Sequence, residues 1–197
     1  TAQADRALRV ENAAVLGEPG VHAFHVCKKQ EASSVLEPNP QMINLYPDPG
    51  RFEIVSTQQV VATSLDRHFL DGERPQPHFI KLDTQGSELS ILRGGNGVLA
   101  TTVGVEVETW YVPVYQAVPL FPEIDQFIRS LDFQAHDIVH YFWKRTVPGV
   151  AFDSSLGDLV SAEVLYFKPP ESLLELIGSK ALTLTQAVCC YLAYGYT

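Results

Sequence analysis

The sequence predicts an α/β fold whose sheet has a parallel centre. Strand-like apolar runs alternate with helical periodicities through the middle of the chain. Two of those runs, 79–83 and 102–108, carry charges at every second position, as strands do when one face differs from the other. The composition is globular, with 46% hydrophobic and 19% charged residues in 197, enough to bury a core without staples.

The elements follow in order. Residues 8–16 read as a strand, Gly17-Glu18-Pro19-Gly20 as a turn, and 21–26 as a half-exposed strand alternating apolar residues with histidine, so the two strands are expected to form a hairpin. The polar, Pro/Asn-rich stretch 28–48 is expected to be a long loop. Residues 52–61 favour strand through Ile54, Val55, Val60 and Val61, and Thr63-Ser64-Leu65-Asp66 opens a short helix that ends near Gly72. Pro75 and Pro77 lead into the strand 79–83. Thr84-Gln85-Gly86 turns, Ser87 caps the next helix, Glu88 complements its positive end, and Gly94-Gly95 closes it.

A strand at 102–108 comes next, then a helix over 121–131 with apolar residues at Phe121, Ile124, Phe127, Ile128 and Leu131. Strands at 135–143 and 160–167 complete the sheet. Residues 171–194 are mostly helical with a break at Gly178. The division that results is an α/β domain over 1–170 and a helical extension over 171–197, which serves as core cover or as a contact in a homo-oligomer.

The net charge of −9 argues against sequence-independent binding of nucleic acid and against adhesion to an anionic membrane. Three cysteines, two of them adjacent, are too few for a disulfide framework and fit a reducing, cytoplasmic setting. No apolar run reaches the ~18 residues of a membrane span, and no signal-peptide layout is present. His25 and Cys27 share a strand face that His22 does not, which speaks against a metal site there. The chain opens on Thr1, as a piece of a longer protein would.

The charges on the two middle strands carry the functional reading. Alternation puts Ile80 and Leu82 on one face and Lys81 and Asp83 on the other; in the next strand Val103, Val105 and Val107 oppose Glu106 and Glu108. If the strands are neighbours, Lys81 lies near Glu106, with Asp83 and Glu108 closer to the carboxyl ends, where open α/β sheets bind ligands. Glu88 looks toward the same crevice. Two readings stay open: a general-base or metal-binding constellation, or a structural ion pair between Lys81 and Glu106. Asp83, at the strand tip, is the leading catalytic candidate.

The stretches IKLDTQGSELSILRGG, VGVEVETWYVPVY and PLFPEIDQFIRSLDF resemble the FkbM family of S-adenosylmethionine-dependent methyltransferases. The Lys-x-Asp strand, Gly-x-Glu turn, Leu-Arg-Gly helix end and following Glu-rich strand occur in that order, and the likeness extends over roughly 8–168. The resemblance implies a Rossmann-like class I methyltransferase sheet, S-adenosyl-L-methionine as cofactor, and methyl transfer to a hydroxyl of a small molecule or glycan. In that scheme Asp83 is the base, held by Lys81 and Glu106. Glu108, Trp110, Tyr111 and Tyr115 face the acceptor, and Asn12, Ala13, Ser34 and Gln85 contact the cofactor.

One departure stands out. The family's glycine-rich turn after its first strand, and the acidic residue ending its second, have no counterpart here. Gly17 to Gly20 sits in a turn between strands, and Gly94-Gly95-Asn96-Gly97 follows a helix. The sheet is therefore expected to be partial, lacking its first βαβ unit, with an upstream segment or another chain supplying it. Two other functions compete: a metal-dependent hydrolase using Asp83, Glu88, Glu106 and Glu108, and an inactive binding module that keeps the fold.

Overall fold

The computed structural model of the protein describes residues 10–71, 74–146 and 157–194. Its strands form two sheets. The first joins β1 (Ala14–Val15), β2 (Gly20–Cys27) and β3 (Ile54–Thr63) in the order β1-β3-β2. The second joins β4 (Phe79–Leu82), β5 (Gly104–Trp110), β6 (Gln134–Trp143) and β7 (Asp158–Phe167) in the order β4-β5-β7-β6. Seven α-helices are described: α1 (Pro40–Ile43), α2 (Leu65–Leu70), α3 (Glu88–Arg93), α4 (Asn96–Thr101), α5 (Phe121–Ser130), α6 (Pro170–Gly178) and α7 (Leu184–Ala193).

The hairpin expected between the first two strands does not form. β3 lies between them, parallel to β1 and antiparallel to β2. The turn at Gly17 is drawn toward α3 instead, where the Gly17 N–H donates to Ser90 Oγ at 3.1 Å. Of the expected first strand, Leu8 and Arg9 lie outside the described residues, and only Ala14–Val15 pairs.

The parallel centre is also narrower than expected. β4 runs parallel to β5, but β7 returns antiparallel between β5 and β6. The inner strands are thus β5 and β7, both almost wholly buried, while β4 pairs only with β5 among the described strands.

One face of this sheet, with Ile80, Leu82, Val105, Val107, Val164 and Tyr166, packs under Leu89, Leu92, Ile124 and Ile128 of α3 and α5. The spacing of Ile124 and Ile128 puts both on the inward side of α5. On the other face, at the amino ends of β4 and β5, Val103, Leu165 and Phe167 pack under Leu173 and Ala187 of α6 and α7. The Tyr191 hydroxyl on α7 donates to the Lys168 carbonyl at 2.7 Å. Cys190 joins this packing, whereas Cys189 is exposed, so only one of the adjacent cysteines packs. A third cluster, with Phe52, Trp110, Val114, Tyr115 and Val160, lies beyond the carboxyl end of β5, where the loop after β2 folds over the sheet.

Gly94 closes α3 as expected, and with Gly95 it forms the corner from which α4 starts at once. Gly94 is required by close approach, since a Cβ there would lie 2.4 Å from the Gly17 carbonyl oxygen. Ser64 caps α2 as expected, accepting from the Arg67 N–H at 3.2 Å. Ser87 occupies the corresponding position before α3 but makes no capping bond, because its hydroxyl turns to Thr84 Oγ1 at 2.9 Å.

Candidate functional site

The parallel pairing of β4 with β5 sets Lys81 opposite Glu106. The side chains meet: Lys81 Nζ donates to Glu106 Oε1 at 2.5 Å and to Glu163 Oε1, from β7, at 3.1 Å. Those carboxylates, Glu106 foremost, raise the ammonium's pKa against the opposing effect of burial. Period two then carries Asp83 and Glu108 past the pair, to the carboxyl ends on the same face.

The turn after β4 is built by Glu88. Its buried carboxylate accepts from Thr84 N at 2.7 Å, Thr84 Oγ1 at 2.9 Å and Gly86 N at 2.9 Å. Burial pushes this carboxyl up, and the donors from Thr84 and Gly86 pull it back. The turn passes through left-handed backbone at Gln85, with φ of 57°, and at Gly86, with φ of 108°. Such a conformation costs a non-glycine residue about 1–2 kcal/mol. It persists at Gln85 because the residue is anchored at several points. Its carbonyl accepts from Ser34 Oγ at 2.7 Å, and its side-chain oxygen accepts from the Tyr115 hydroxyl at 3.1 Å. Its amide nitrogen donates to Asp83 Oδ1 at 2.9 Å and Glu108 Oε2 at 2.8 Å.

Glu108 sits in this cluster with its pKa pushed up to about 9, first by burial and then by the negative charge of Asp83 and Glu88. It therefore holds a proton at neutral pH beside Asp83. Burial likewise raises the Tyr115 hydroxyl well above its ordinary value, so Tyr115 stays a donor.

Two cavities meet at this cluster. The larger, about 660 Å³, runs between the two sheets and is lined by Asn12, Ala13, Val15, Phe24, Ser33 and Val60, among others. The smaller, about 320 Å³, lies over the carboxyl end of β5 and the amino half of the antiparallel β7 and is walled by Phe52, Trp110, Tyr141, Trp143, Ser161 and Glu163, with Glu108 beneath. Glu31, Asp83 and Gln85 line both.

The residues singled out in the sequence distribute unevenly over this site. Asp83, Gln85, Glu108 and Trp110 come together, and Asn12 and Ala13 line the larger cavity. Lys81 pairs with Glu106 and with Glu163; the partner that holds Asp83 is Gln85. Ser34 is buried and committed to the Gln85 carbonyl and the Leu36 amide, while its neighbours Ser33 and Val35 line the cavity. Tyr115 acts behind the surface, bonded to Gln85 and to the Ala32 carbonyl at 3.0 Å. Tyr111 faces elsewhere, stacked on Phe121 at 5.0 Å.

Among the described residues no three His, Cys, Asp or Glu side chains gather as a metal-binding group. Of the four carboxylates weighed for such a site, Glu88 is turned into its own loop and Glu106 onto Lys81. Sequence reasoning missed Glu31, Arg51, Phe52, Tyr141, Trp143, Ser161 and Glu163. The one available signal was the polar alternation of Ser161 and Glu163 in an otherwise apolar strand.

A mixed α/β fold with carboxyls at the strand ends, beside two cavities that share lining residues, has its crevice where open α/β sheets bind ligands. The methyltransferase FkbM domain family matches residues 8–135, which narrows the class to methyltransferase. The chain belongs to the FkbM methyltransferase family. No curated protein and no solved structure matches it. The matched span contains Asp83, Gln85, Glu108 and Trp110 and ends before Tyr141, Trp143, Ser161 and Glu163, the far wall of the smaller cavity. No helix among the described residues is long and apolar enough to cross a membrane.

Proposed function

We propose that this methyltransferase moves a methyl group from S-adenosyl-L-methionine to a hydroxyl oxygen of a small molecule or glycan, with the donor in the larger cavity and the acceptor in the smaller. The observation that carries this reading is the shared lining, because Asp83 and Gln85 border both cavities.

The larger cavity suits the donor in size, within the ~300–1,000 Å³ of ligand sites. Its lining suits it too. Phe24, Val15, Val35 and Val60 offer apolar faces for a base, Asn12 and Gln30 offer hydrogen bonds, and Glu31 and Asp83 offer negative charge to a sulfonium. When bound, the donor supplies a methyl group activated by positive charge on sulfur.

The chain's own residues supply the rest. Asp83 accepts the proton of the acceptor hydroxyl, a role worth typically ~10²–10⁴-fold in rate. Glu108 is protonated at neutral pH, so it holds the acceptor oxygen as a donor and leaves one negative charge on the pair. Gln85 fixes both carboxyls in place, and Trp110 and Trp143 exclude water from the acceptor side.

The grip on the donor's amino-acid end falls to the family's first βαβ unit. We place that unit along the edge of β4 that pairs with no other described strand, completing a Rossmann-like sheet. Gly17, Gly94, Gly95 and Gly97 do not replace it, since they serve packing between α2, α3, α4 and the turn after β1. We assign residues 1–170 to the catalytic unit and 171–197 to a helical cover.

The test is calorimetric titration of S-adenosyl-L-methionine into the protein, repeated with Ala13→Trp to fill the larger cavity. Saturable binding to the parent protein and its loss in the variant support the reading. Equal binding by both removes the donor from this cavity.

A further inference from the structure

The smaller cavity is bipolar. Its lining carries carboxyls near the strand ends, Asp83 and Glu108, with Glu163 in the wall and Glu31 beside them, and two cations on the loop after β2, Lys29 and Arg51. The backbones that carry them are held side by side, because the Lys29 N–H donates to the Arg51 carbonyl at 3.0 Å, in a short antiparallel run continued by Lys28 N–H to the Glu53 carbonyl at 2.8 Å.

Arg51 is preorganised. Its guanidinium lies 4.4 Å from the Trp143 ring centroid and 5.0 Å from that of Phe52. Stacking on rings uses the face of the guanidinium and leaves its in-plane N–H donors to a ligand. Among the described residues, no carboxylate forms an ion pair with Arg51 or Lys29; Glu31, on the same wall, does not, and Glu53 is taken by Lys28.

We infer that the acceptor is a single hydroxylated ring bearing an anionic group, a carboxylate, phosphate or sulfate, which Arg51 and Lys29 bind from the loop while the hydroxyl meets Asp83 and Glu108 near the strand ends. This rests on the acceptor occupying the smaller cavity, as proposed above. A neutral acceptor would cover two cations without replacing their hydration, which is unfavourable. A cationic one would meet like charge on Arg51 and Lys29. At about 320 Å³, near the lower end for ligand sites, the cavity takes one ring, against walls made of the aromatic faces of Trp110, Trp143 and Tyr141.

The chain has two tryptophans, Trp110 and Trp143, and both line this cavity, so tryptophan fluorescence, excited at wavelengths tyrosine does not absorb, reports on it. Glucuronate, glucose 6-phosphate and glucose serve as probes, each titrated into the whole protein. At least one of the anionic sugars is expected to change the emission saturably and to bind tenfold or more tightly than glucose, with the preferred anion identifying carboxylate or phosphate recognition. Arg51→Gln is expected to lose that preference. Because it also unstacks Trp143, Lys29→Gln provides a second variant away from the rings, with an expected loss of threefold or more. Glucose binding as well as both anionic sugars, or Lys29→Gln and Arg51→Gln binding them like the parent, overturns the inference. Calorimetric titration of S-adenosyl-L-methionine reads the larger cavity independently. Intact donor binding without anion preference therefore sinks the subsite and leaves the methyltransfer reading standing.

Discussion

Asp83 and Glu108 share one hydrogen-bond donor, the side-chain amide of Gln85, which reaches the first at 2.9 Å and the second at 2.8 Å. They come from the ends of adjacent parallel strands and would repel each other if both were ionised. The amide and the proton on Glu108 remove that conflict. The pair then has one negative charge, on Asp83, and one vacancy for a proton, which is what deprotonation of an acceptor hydroxyl requires.

Asp83→Asn removes the vacancy and keeps the shape. Turnover is expected to fall by at least about tenfold, since a positioned base is typically worth ~10²–10⁴-fold. Donor affinity, read by calorimetry, is expected to change little. Near-normal turnover would take Asp83 out of the base role.

Gln85 separates geometry from strain. Gln85→Ala loses the bridge and keeps a non-glycine residue in left-handed backbone, while Gln85→Gly loses the bridge and relieves the strain. Both variants are expected to lose turnover alike, but the glycine variant is expected to be about 1 kcal/mol more stable in urea titration. A glycine variant that recovers activity along with stability would show that the side-chain bridge has no part in the reaction.

Much of this arrangement was legible in the sequence, because strand alternation is local. Period two alone put Lys81 with Asp83 and Glu106 with Glu108, and the register Lys81 to Glu106 makes those faces coincide. Helices α2 and α5 were likewise readable, from the residues that open the first and the apolar spacing of the second, and the break at Gly178 separates α6 from α7 as read. The choice of strand partners was not. β3 separates β1 from β2, and β7 enters beside β5, through pairings between residues far apart in the chain. For the same reason the cavity walls were missed, since Arg51 and Phe52 arrive on a loop and Trp143 on the last-paired strand β6. Ser34 shows the limit from the other side: a serine near a ligand cavity can be wholly occupied in holding a strained turn.

Lys81 tests whether an ion pair near a site is part of it. Its side chain is 49% exposed, and it touches Glu106 and Glu163 but neither Asp83 nor Gln85. Glu106 is more buried, but the pair opens to water through the lysine, and pairs reached by water are worth ~0–1 kcal/mol. Lys81→Met is therefore expected to lower stability by no more than about 1 kcal/mol and to leave turnover within about twofold of the parent. A loss comparable to that of Asp83→Asn would place the lysine in the chemistry.

Glu108 supplies a prediction about pH whose sign follows from linkage. Its carboxyl has a folded-state pKa pushed up to about 9 from a reference of 4.5. Between those values the folded chain holds a proton that the unfolded chain has released. Its contribution to stability is thus complete below the unfolded pKa and declines as pH rises through the folded one. Each unit of displacement is worth about 1.4 kcal/mol, so the decline between about pH 6 and about pH 9 is on the order of 2–4 kcal/mol. Glu108→Gln cannot ionise and keeps a hydrogen-bonding group of the same shape. Urea unfolding at both pH values is expected to show the variant gaining on the parent as pH rises. A constant difference would mean that Glu108 is already ionised at neutral pH. The single negative charge would then be two, and the acceptor oxygen would lose its donor.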